Sequence, residues 1–151
     1  MVSHGLQIRK LLNDLFKTQL FASLATLQLT KPYNNLIAFA ATEDLKQIVF
    51  VTKRETNKYA NLISNNNVSI LIDSRSNQDS DFRNAVAVTA VGSAEEVRDS
   101  LRESLLKIYL SKHHGLKKFA DSPEAVLFRV MVKKYFIVRN FQEVEEWKVE
   151  I

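Results

Sequence analysis

Two periodicities of apolar residues alternate along the chain. Near the N-terminus, apolar residues recur every three or four positions, which predicts an amphipathic helix. The same spacing over residues 97–108 predicts a second helix, with Gly115 as its stop signal. The first stripe consists of Ile8, Leu11, Leu12, Leu15 and Phe16.

The other apolar segments are short and rich in β-branched or aromatic residues, as strands are. Only residues 42–47 separate the second predicted strand from the third, which is too short for a parallel crossover and predicts an antiparallel hairpin. An antiparallel sheet of many short strands usually closes to protect its edges. We therefore predict a mainly β, α+β fold: an antiparallel six- to seven-stranded β-barrel with flanking helices. The predicted strands cover residues 20–27, 36–41, 48–52, 68–73, 85–92 and 126–138.

The composition is that of a folded globular domain, with 46% hydrophobic and 25% charged residues. The polar stretch at residues 74–81 is a predicted loop, and neither side of it has enough strands for a separate domain. We expect a single domain over residues 1–151. The absence of cysteine excludes disulfides, zinc–thiolate sites and thiol nucleophiles, and it suits a reducing cytosol.

Several classes of partner are not expected. No apolar run reaches the roughly 18 residues that span a bilayer, and the N-terminus does not resemble a signal peptide, so we expect a cytoplasmic protein without membrane partners. The net charge of +4 favours an anionic partner. The basic residues are scattered rather than gathered on one face, which argues against nucleic acid and leaves a phosphorylated small molecule.

The segment between the third and fourth predicted strands carries the clearest chemical signal. Thr56 is a natural N-cap of a helix predicted over residues 56–64, because its hydroxyl can accept from unpaired amides. A helix N-terminus binds anions readily, and hydroxyls and cations beside it favour a phosphate. A capped surface helix with solvated lysines explains the same residues. The neighbouring hydroxyl and cations belong to Thr52, Lys53, Arg54 and Lys58.

The second predicted strand is unusual in its small side chains. Ala38, Ala40 and Ala41 occupy positions where a strand would normally carry bulkier residues. Small side chains allow a flat ring to approach the backbone. They allow tight packing against a neighbouring strand or helix equally well.

The order and spacing of these residues resemble the FMN-binding split barrel of the pyridoxamine 5′-phosphate oxidase-like superfamily. The resemblance extends from about residue 6 to residue 138, and a predicted strand that ends at Gly92 before a helix agrees with it. It implies bound FMN and a homodimer with flavin in clefts at the subunit interface. The matching positions are Phe50-x-Thr52, Thr56-x-Lys58-x-x-Asn61-Leu62, Asn65 and Val68-Ser69.

The resemblance also implies roles for individual residues. The strand at residues 36–41 would run beside the isoalloxazine ring, largely through backbone groups. The residues that would line the phosphate and ribityl end are Val51, Thr52, Thr56 and Lys58. Leu36 and Asn57 stand where the vitamin B6 oxidases carry arginine, and we expect Lys53 or Arg54 to compensate. The implied cofactor-binding residues are Leu36, Ile37, Ala38, Phe39, Ala40, Ala41, Val51, Thr52, Lys53, Arg54, Thr56, Asn57 and Lys58.

The residues leave the reaction open. The C-terminal arginine–x–histidine element of the vitamin B6 oxidases is missing, because no histidine follows His114. We expect an FMN-dependent oxidoreductase that acts on an unknown small molecule, with NAD(P)H or another small reductant. The alternatives are a non-catalytic flavin carrier and a barrel that has lost its flavin. FAD, deazaflavin and haem chemistry are not excluded, although no glycine-rich dinucleotide fingerprint is present.

No side chain is identified as a catalytic acid or base. His113 and His114 follow the second predicted helix and either face a pocket or act as charge partners of the helix end. No metal site is expected, because adjacent helix positions point about 100° apart. Trp147 lies in an acidic tail. That tail either forms a final strand on the barrel or crosses to the flavin of a partner subunit.

Overall fold

The computed structural model describes residues 2–150, which form seven strands and five α-helices. None of these helices is long and apolar enough to cross a bilayer. The helices are α1 (His4–Thr18), α2 (Asn57–Ser64), α3 (Asp81–Asn84), α4 (Asp99–Lys112) and α5 (Lys117–Ala120), with a 3-10 turn at His114–Leu116. The strands are β1 (Phe21–Gln28), β2 (Lys31–Ala41), β3 (Gln47–Lys53), β4 (Asn67–Asp73), β5 (Val86–Glu96), β6 (Ala125–Arg139) and β7 (Glu143–Lys148).

The strands form one antiparallel sheet in the order β3-β2-β1-β4-β5-β6-β7, and pairing of β3 with β6 closes six of them into a barrel. The long strand β6 makes this closure possible. One of its edges pairs with β5, while its other edge pairs first with β3 and then with β7. The predicted α+β barrel and the predicted β2–β3 hairpin are both confirmed.

Side chains that alternate along β2 and β3 divide between two apolar clusters. Phe39 and Phe50 point into the barrel, where α1 covers the core and Phe50 stacks on Phe128 with ring centroids 5.7 Å apart. Ala40 and Val49 point outward and are buried beneath α4. The alanines of β2 are thus explained in part by the close packing of a helix.

Gly92 has a different role from the predicted one. The strand does not end there; β5 continues to Glu96, with a bulge between Val91 and Gly92. A Cβ at this position would overlap the carbonyl oxygen of Met131 and lie 2.9 Å from its carbonyl carbon. Glycine is needed here because the backbones of β5 and β6 approach closely, not because the strand stops.

The acidic tail forms the final strand of the sheet. Strand β7 pairs with β6 of the same chain, and Trp147 stacks on Tyr135 with ring centroids 6.1 Å apart. The guanidinium of Arg9 lies 5.3 Å from the centre of the Trp147 ring. The tail is therefore a strand packed on its own barrel, which confirms the first of the two interpretations.

We expect Gly92→Ala to lower the free energy of unfolding by about 1–3 kcal/mol, because the added methyl group would push β5 away from β6. Urea denaturation measures this difference. Gly115→Ala is the matched control, since a Cβ there meets nothing within 4 Å. Equal stability of the two variants would show that the bulge tolerates a side chain.

Candidate functional site

The barrel is open where β2 and β3 separate, and we call this gap between the two strands the seam. The ladder between β2 and β3 contains only three residue pairs, from Phe39–Phe50 to Ala41–Ile48. On the far side of each strand, pairing continues: β2 remains paired with β1, and β3 remains paired with β6 as far as Lys53. Backbone groups of residues 36–38 and 51–53 therefore face each other across the seam without a ladder between them. These two stretches belong to the segments that the resemblance assigns to a cofactor.

The outward-facing side chains of β2 become progressively more buried along this seam. The side chain of Leu36 is 70% exposed, Ala38 is half-buried, and Ala40 is covered by α4. The alternate residues Ile37 and Phe39 point into the core. A ligand beside this strand can therefore touch the backbone and the side chains of Leu36 and Ala38. Helix α4 prevents such a ligand from reaching Ala40.

On the other side of the seam, β3 leads into α2. Val51 is buried in the cluster beneath α4, and Ala41, at the far end of β2, is half-buried. Thr52 is buried at the end of the barrel, and its hydroxyl lies 3.4 Å from the hydroxyl of Thr56. Both threonines that the sequence singles out are brought together.

The N-terminus of α2 has free amide donors. The Thr56 hydroxyl accepts from the N–H of Tyr59 at 3.1 Å and donates to the carbonyl of Lys53 at 2.9 Å. Thr56 is the N-cap, as predicted. The hydrogen bonds of the described residues give the N–H groups of Asn57 and Lys58 no acceptor. Two unpaired amides at the positive end of a helix dipole favour an anion.

The cations near this helix end differ in their surroundings. Lys58 is half-buried, and no ion pair among the described residues includes it. Burial lowers the pKa of its ammonium below the ordinary value, since nothing nearby compensates the lost hydration. A bound phosphate would supply the missing anion. Asn57, the first residue of the helix, is exposed.

Arg54 is already engaged within the protein, whereas Lys53 is exposed. The Arg54 guanidinium donates to the hydroxyl of Tyr59 at 3.0 Å and lies 3.5 Å from a carboxylate oxygen of Glu96. The Glu96 carboxylate raises the pKa of Arg54. Of the two residues expected to compensate for the missing arginines, Lys53 has the freer side chain.

A buried polar pair fastens α2 to the barrel. The side-chain amide of Asn61 donates to the hydroxyl of Thr26 on β1 at 3.1 Å, and both side chains are buried. Tyr59 adds an edge-on contact with Phe128, with ring centroids 5.9 Å apart. The role of Asn61 in the motif is therefore to hold the helix in place.

His113 and His114 have unlike environments. His113 is buried, and its Nε2–H donates to the carbonyl of Phe39 at 2.7 Å, which joins the end of α4 to β2. Burial lowers its pKa, so the neutral ring is favoured. His114 is exposed. Within residues 2–150, no group of three or more histidine, aspartate or glutamate side chains could hold a metal ion.

Removing the N-cap of α2 should have a measurable cost. We expect Thr56→Ala to lower the free energy of unfolding by about 1 kcal/mol, because the Tyr59 amide loses its acceptor. Thr56→Ser keeps the hydroxyl and should remain close to the wild type. Urea titration followed by circular dichroism compares the three proteins. A Thr56→Ala variant as stable as the wild type would contradict the capping role.

Comparison of the structure with solved structures shows the same fold at low sequence identity. A haem-binding protein from Mycobacterium smegmatis superposes with a TM-score of 0.82 at 16% identity; the match covers 98% of this chain and 59% of that one. The chain thus spans about three fifths of that protein's length. A FAD-binding protein from Mesorhizobium loti gives a TM-score of 0.63 at 18% identity, over 83% of this chain and 89% of the other.

A third structure bears the name of the family that the sequence resembles. It is a putative pyridoxamine 5′-phosphate oxidase from Listeria innocua, with a TM-score of 0.69 and 14% identity, over 87% of this chain and 98% of the other. No curated protein matches the sequence. The family pattern described as pyridoxamine 5′-phosphate oxidase matches residues 8–139, which is most of the chain. The chain therefore belongs to the pyridoxamine 5′-phosphate oxidase family.

Proposed function

We propose that the protein binds FMN in the open seam between β2 and β3 and acts as a cytoplasmic, FMN-dependent oxidoreductase on a small molecule. The observation that carries this proposal is the position of the seam, which leads directly to the N-terminus of α2. Unpaired backbone groups line the seam, and free amides with a desolvated cation lie at its end. A flavin mononucleotide has matching parts: a flat polar ring at one end and a phosphate at the other.

The phosphate is assigned to the amides of Asn57 and Lys58 and to the Lys58 ammonium. Charge-assisted bonds of this kind are about twice as strong as neutral hydrogen bonds, and the half-burial of Lys58 reduces competition from water. Thr52 contributes mainly through its backbone, because its side chain is buried at the end of the barrel. Lys53 is free to approach the phosphate from the solvent side.

The ring is assigned to the backbone of residues 36–38, beside the exposed side chain of Leu36. When bound, the flavin supplies the hydride or electron transfer, and the protein binds it, orients it and limits access of water. Ile37 and Phe39 anchor this backbone in the core, so that it cannot adjust freely to the ring.

FMN is preferred over the other ligands that occur on this fold. The names of two structural neighbours mention FAD and haem. FAD would need room for an adenylate beyond the phosphate, and no dinucleotide fingerprint is present. Haem binding usually requires an axial ligand. The buried histidine His113 already uses its Nε2 to bond the carbonyl of Phe39, which supports flavin over haem.

We further propose that the protein is a homodimer whose second subunit covers the open seam. Phe21 and Leu71 are 57% and 40% exposed, and together with Leu36 they form an apolar patch on the outer face of β1, β2 and β4. Leu36 and Leu71 are both paired with Ser23, from opposite sides. Contiguous exposed apolar residues mark interaction sites, and a two-fold symmetric copy would bury them beside the flavin.

We expect Lys58→Met to weaken FMN binding about 10- to 100-fold, because one charge-assisted bond is worth about 1.5–3 kcal/mol. Quenching of flavin fluorescence during titration measures the affinity. Lys118→Met is the matched control, since Lys118 is exposed on α5. Unchanged affinity in Lys58→Met would refute the assigned phosphate site, and a wild-type protein that ignores added FMN would refute flavin binding altogether.

The pH dependence of binding provides a second check on Lys58. Only the ammonium attracts the phosphate, so affinity should fall as the pH rises through the pKa of Lys58. Because burial lowers that pKa, the fall should begin at a lower pH than for an ordinary lysine. The same pH series on Lys58→Met should be flatter.

Rapid anaerobic bleaching of the bound flavin by NADH or NADPH would favour an enzyme over a non-catalytic carrier.

The proposed dimer is tested by a charge placed in the apolar patch. We expect Leu36→Glu to give a monomer at micromolar concentration, because the dimer would bury a carboxylate without a partner in an apolar contact. Sedimentation velocity distinguishes the two states. Val144→Glu is the control, since Val144 is exposed on β7, which pairs with β6 and not with the strands of the patch. A dimeric Leu36→Glu protein would place the interface elsewhere.

A further inference from the structure

A second cleft, which does not involve α2, lies between α1, α4 and the end of β2. Its volume is about 540 Å³, and no residue of α2 or β3 lines it. This volume is within the range of small-molecule sites, which is about 300–1,000 Å³. Phe16, Ala40 and Ile108 form its apolar walls. Its charged side chains are Lys17, Glu43 and Lys112.

Lys112 brings a partly unused ammonium into this cleft. Its Nζ donates to the carbonyl of Phe16 at 2.7 Å and lies 3.7 Å from the centre of the Phe39 ring. An ammonium has three N–H donors, and the carbonyl takes one while the ring face occupies a second. The ion pairs found within residues 2–150 include no carboxylate partner for Lys112. The third donor is therefore available to a ligand.

We propose that this cleft binds a small organic carboxylate, with the carboxylate on Lys112 and the apolar body of the ligand against Phe16, Ala40 and Ile108. The arrangement is typical of small-molecule sites, in which apolar walls supply most of the contact and a few polar groups fix the orientation. The apolar walls and the ammonium of Lys112 provide for the two parts of such a ligand.

The charges around the cleft favour a monoanion over a phosphate dianion. Helix α1 ends at Thr18 and α4 ends at Lys112, so the negative ends of two helix dipoles lie near the cleft. Glu43 adds a carboxylate to the lining, whereas Lys17 adds a second cation. Two lysines and one glutamate give the lining a net charge of +1, which the two helix ends reduce further, so a ligand of charge −1 is opposed less than a dianion. A phosphate would lack the free amides that the N-terminus of α2 offers.

Because Lys112 titrates, the affinity of the proposed site for a carboxylate should depend on pH. Burial lowers the pKa of its ammonium to about 8. A carboxylate binds the charged form, so affinity should be greatest below this pKa and should decline above it. The other titratable groups that face Lys112 are Lys17 on α1, Glu43 after β2 and the adjacent His113.

This inference goes beyond flavin binding and does not depend on it. Ala40 and Ala41, which line the cleft, also belong to the strand predicted to run beside the flavin ring. A carboxylate in the cleft would thus lie near the ring if flavin is present. Carboxylate binding is nevertheless measured on the protein directly, so its failure is distinct from failure of the FMN titration.

Benzoate is the probe, and benzamide is its neutral counterpart of the same shape. We expect added benzoate to shift the backbone amide resonances of Ala41, Ser111 and Lys112 in nuclear magnetic resonance titrations of the full chain. Lys112→Met should weaken benzoate binding at least about tenfold, which corresponds to loss of one charge-assisted bond. Lys107→Met, an exposed position on the same helix outside the cleft, should bind like the wild type.

The proposal is overturned if benzoate leaves those resonances unchanged, if benzamide or inorganic phosphate binds as tightly as benzoate, or if Lys112→Met binds normally. Should Lys112→Met fail to fold, the wild-type protein still decides the matter. Raising the pH from about 7 to about 10 should weaken benzoate binding several-fold, because Lys112 loses its proton across this interval. A pH-independent affinity overturns the assignment of Lys112.

Discussion

The ladder between β2 and β3 stops after three residue pairs, and this early stop determines where the barrel is open. Each strand keeps its other neighbour, so the backbone on both sides of the seam is held in place while the seam itself stays open. Strand β3 pairs with β6 over seven residues, and this ladder closes the barrel despite the gap. The open seam is therefore a rigid feature of the fold rather than a frayed edge.

Three helices maintain the surroundings of the seam. Helix α2 caps the barrel end and is tied to β1 through Asn61 and Thr26. Helix α4 covers the outer face of β2 and β3, and His113 fastens its end to the carbonyl of Phe39. Lys112 joins the same helix to the last turn of α1. These ties explain how α4 and α2 keep fixed positions beside the open backbone.

The barrel could be predicted because its determinants are local. Alternating apolar residues predict the strands, a six-residue connection predicts the hairpin, and Thr56 predicts the start of α2 from its side chain alone. Gly92 was misassigned because the contact that requires glycine comes from Met131, a residue distant in sequence. The buried state of His113 depends on the packing of α4 against β2, and the cleft at Lys112 depends on the packing of α1 and α4 against that same strand. No periodicity in the chain specifies that packing.

In the proposed complex, the N-terminus of α2 holds the phosphate of a flavin whose ring lies in the seam. Comparing the affinities of FMN and riboflavin tests it most directly, because the two ligands differ only in the phosphate. We expect FMN to bind at least about 100-fold more tightly, since the phosphate gains free amides and a desolvated lysine. Equal affinities for the two flavins would contradict it.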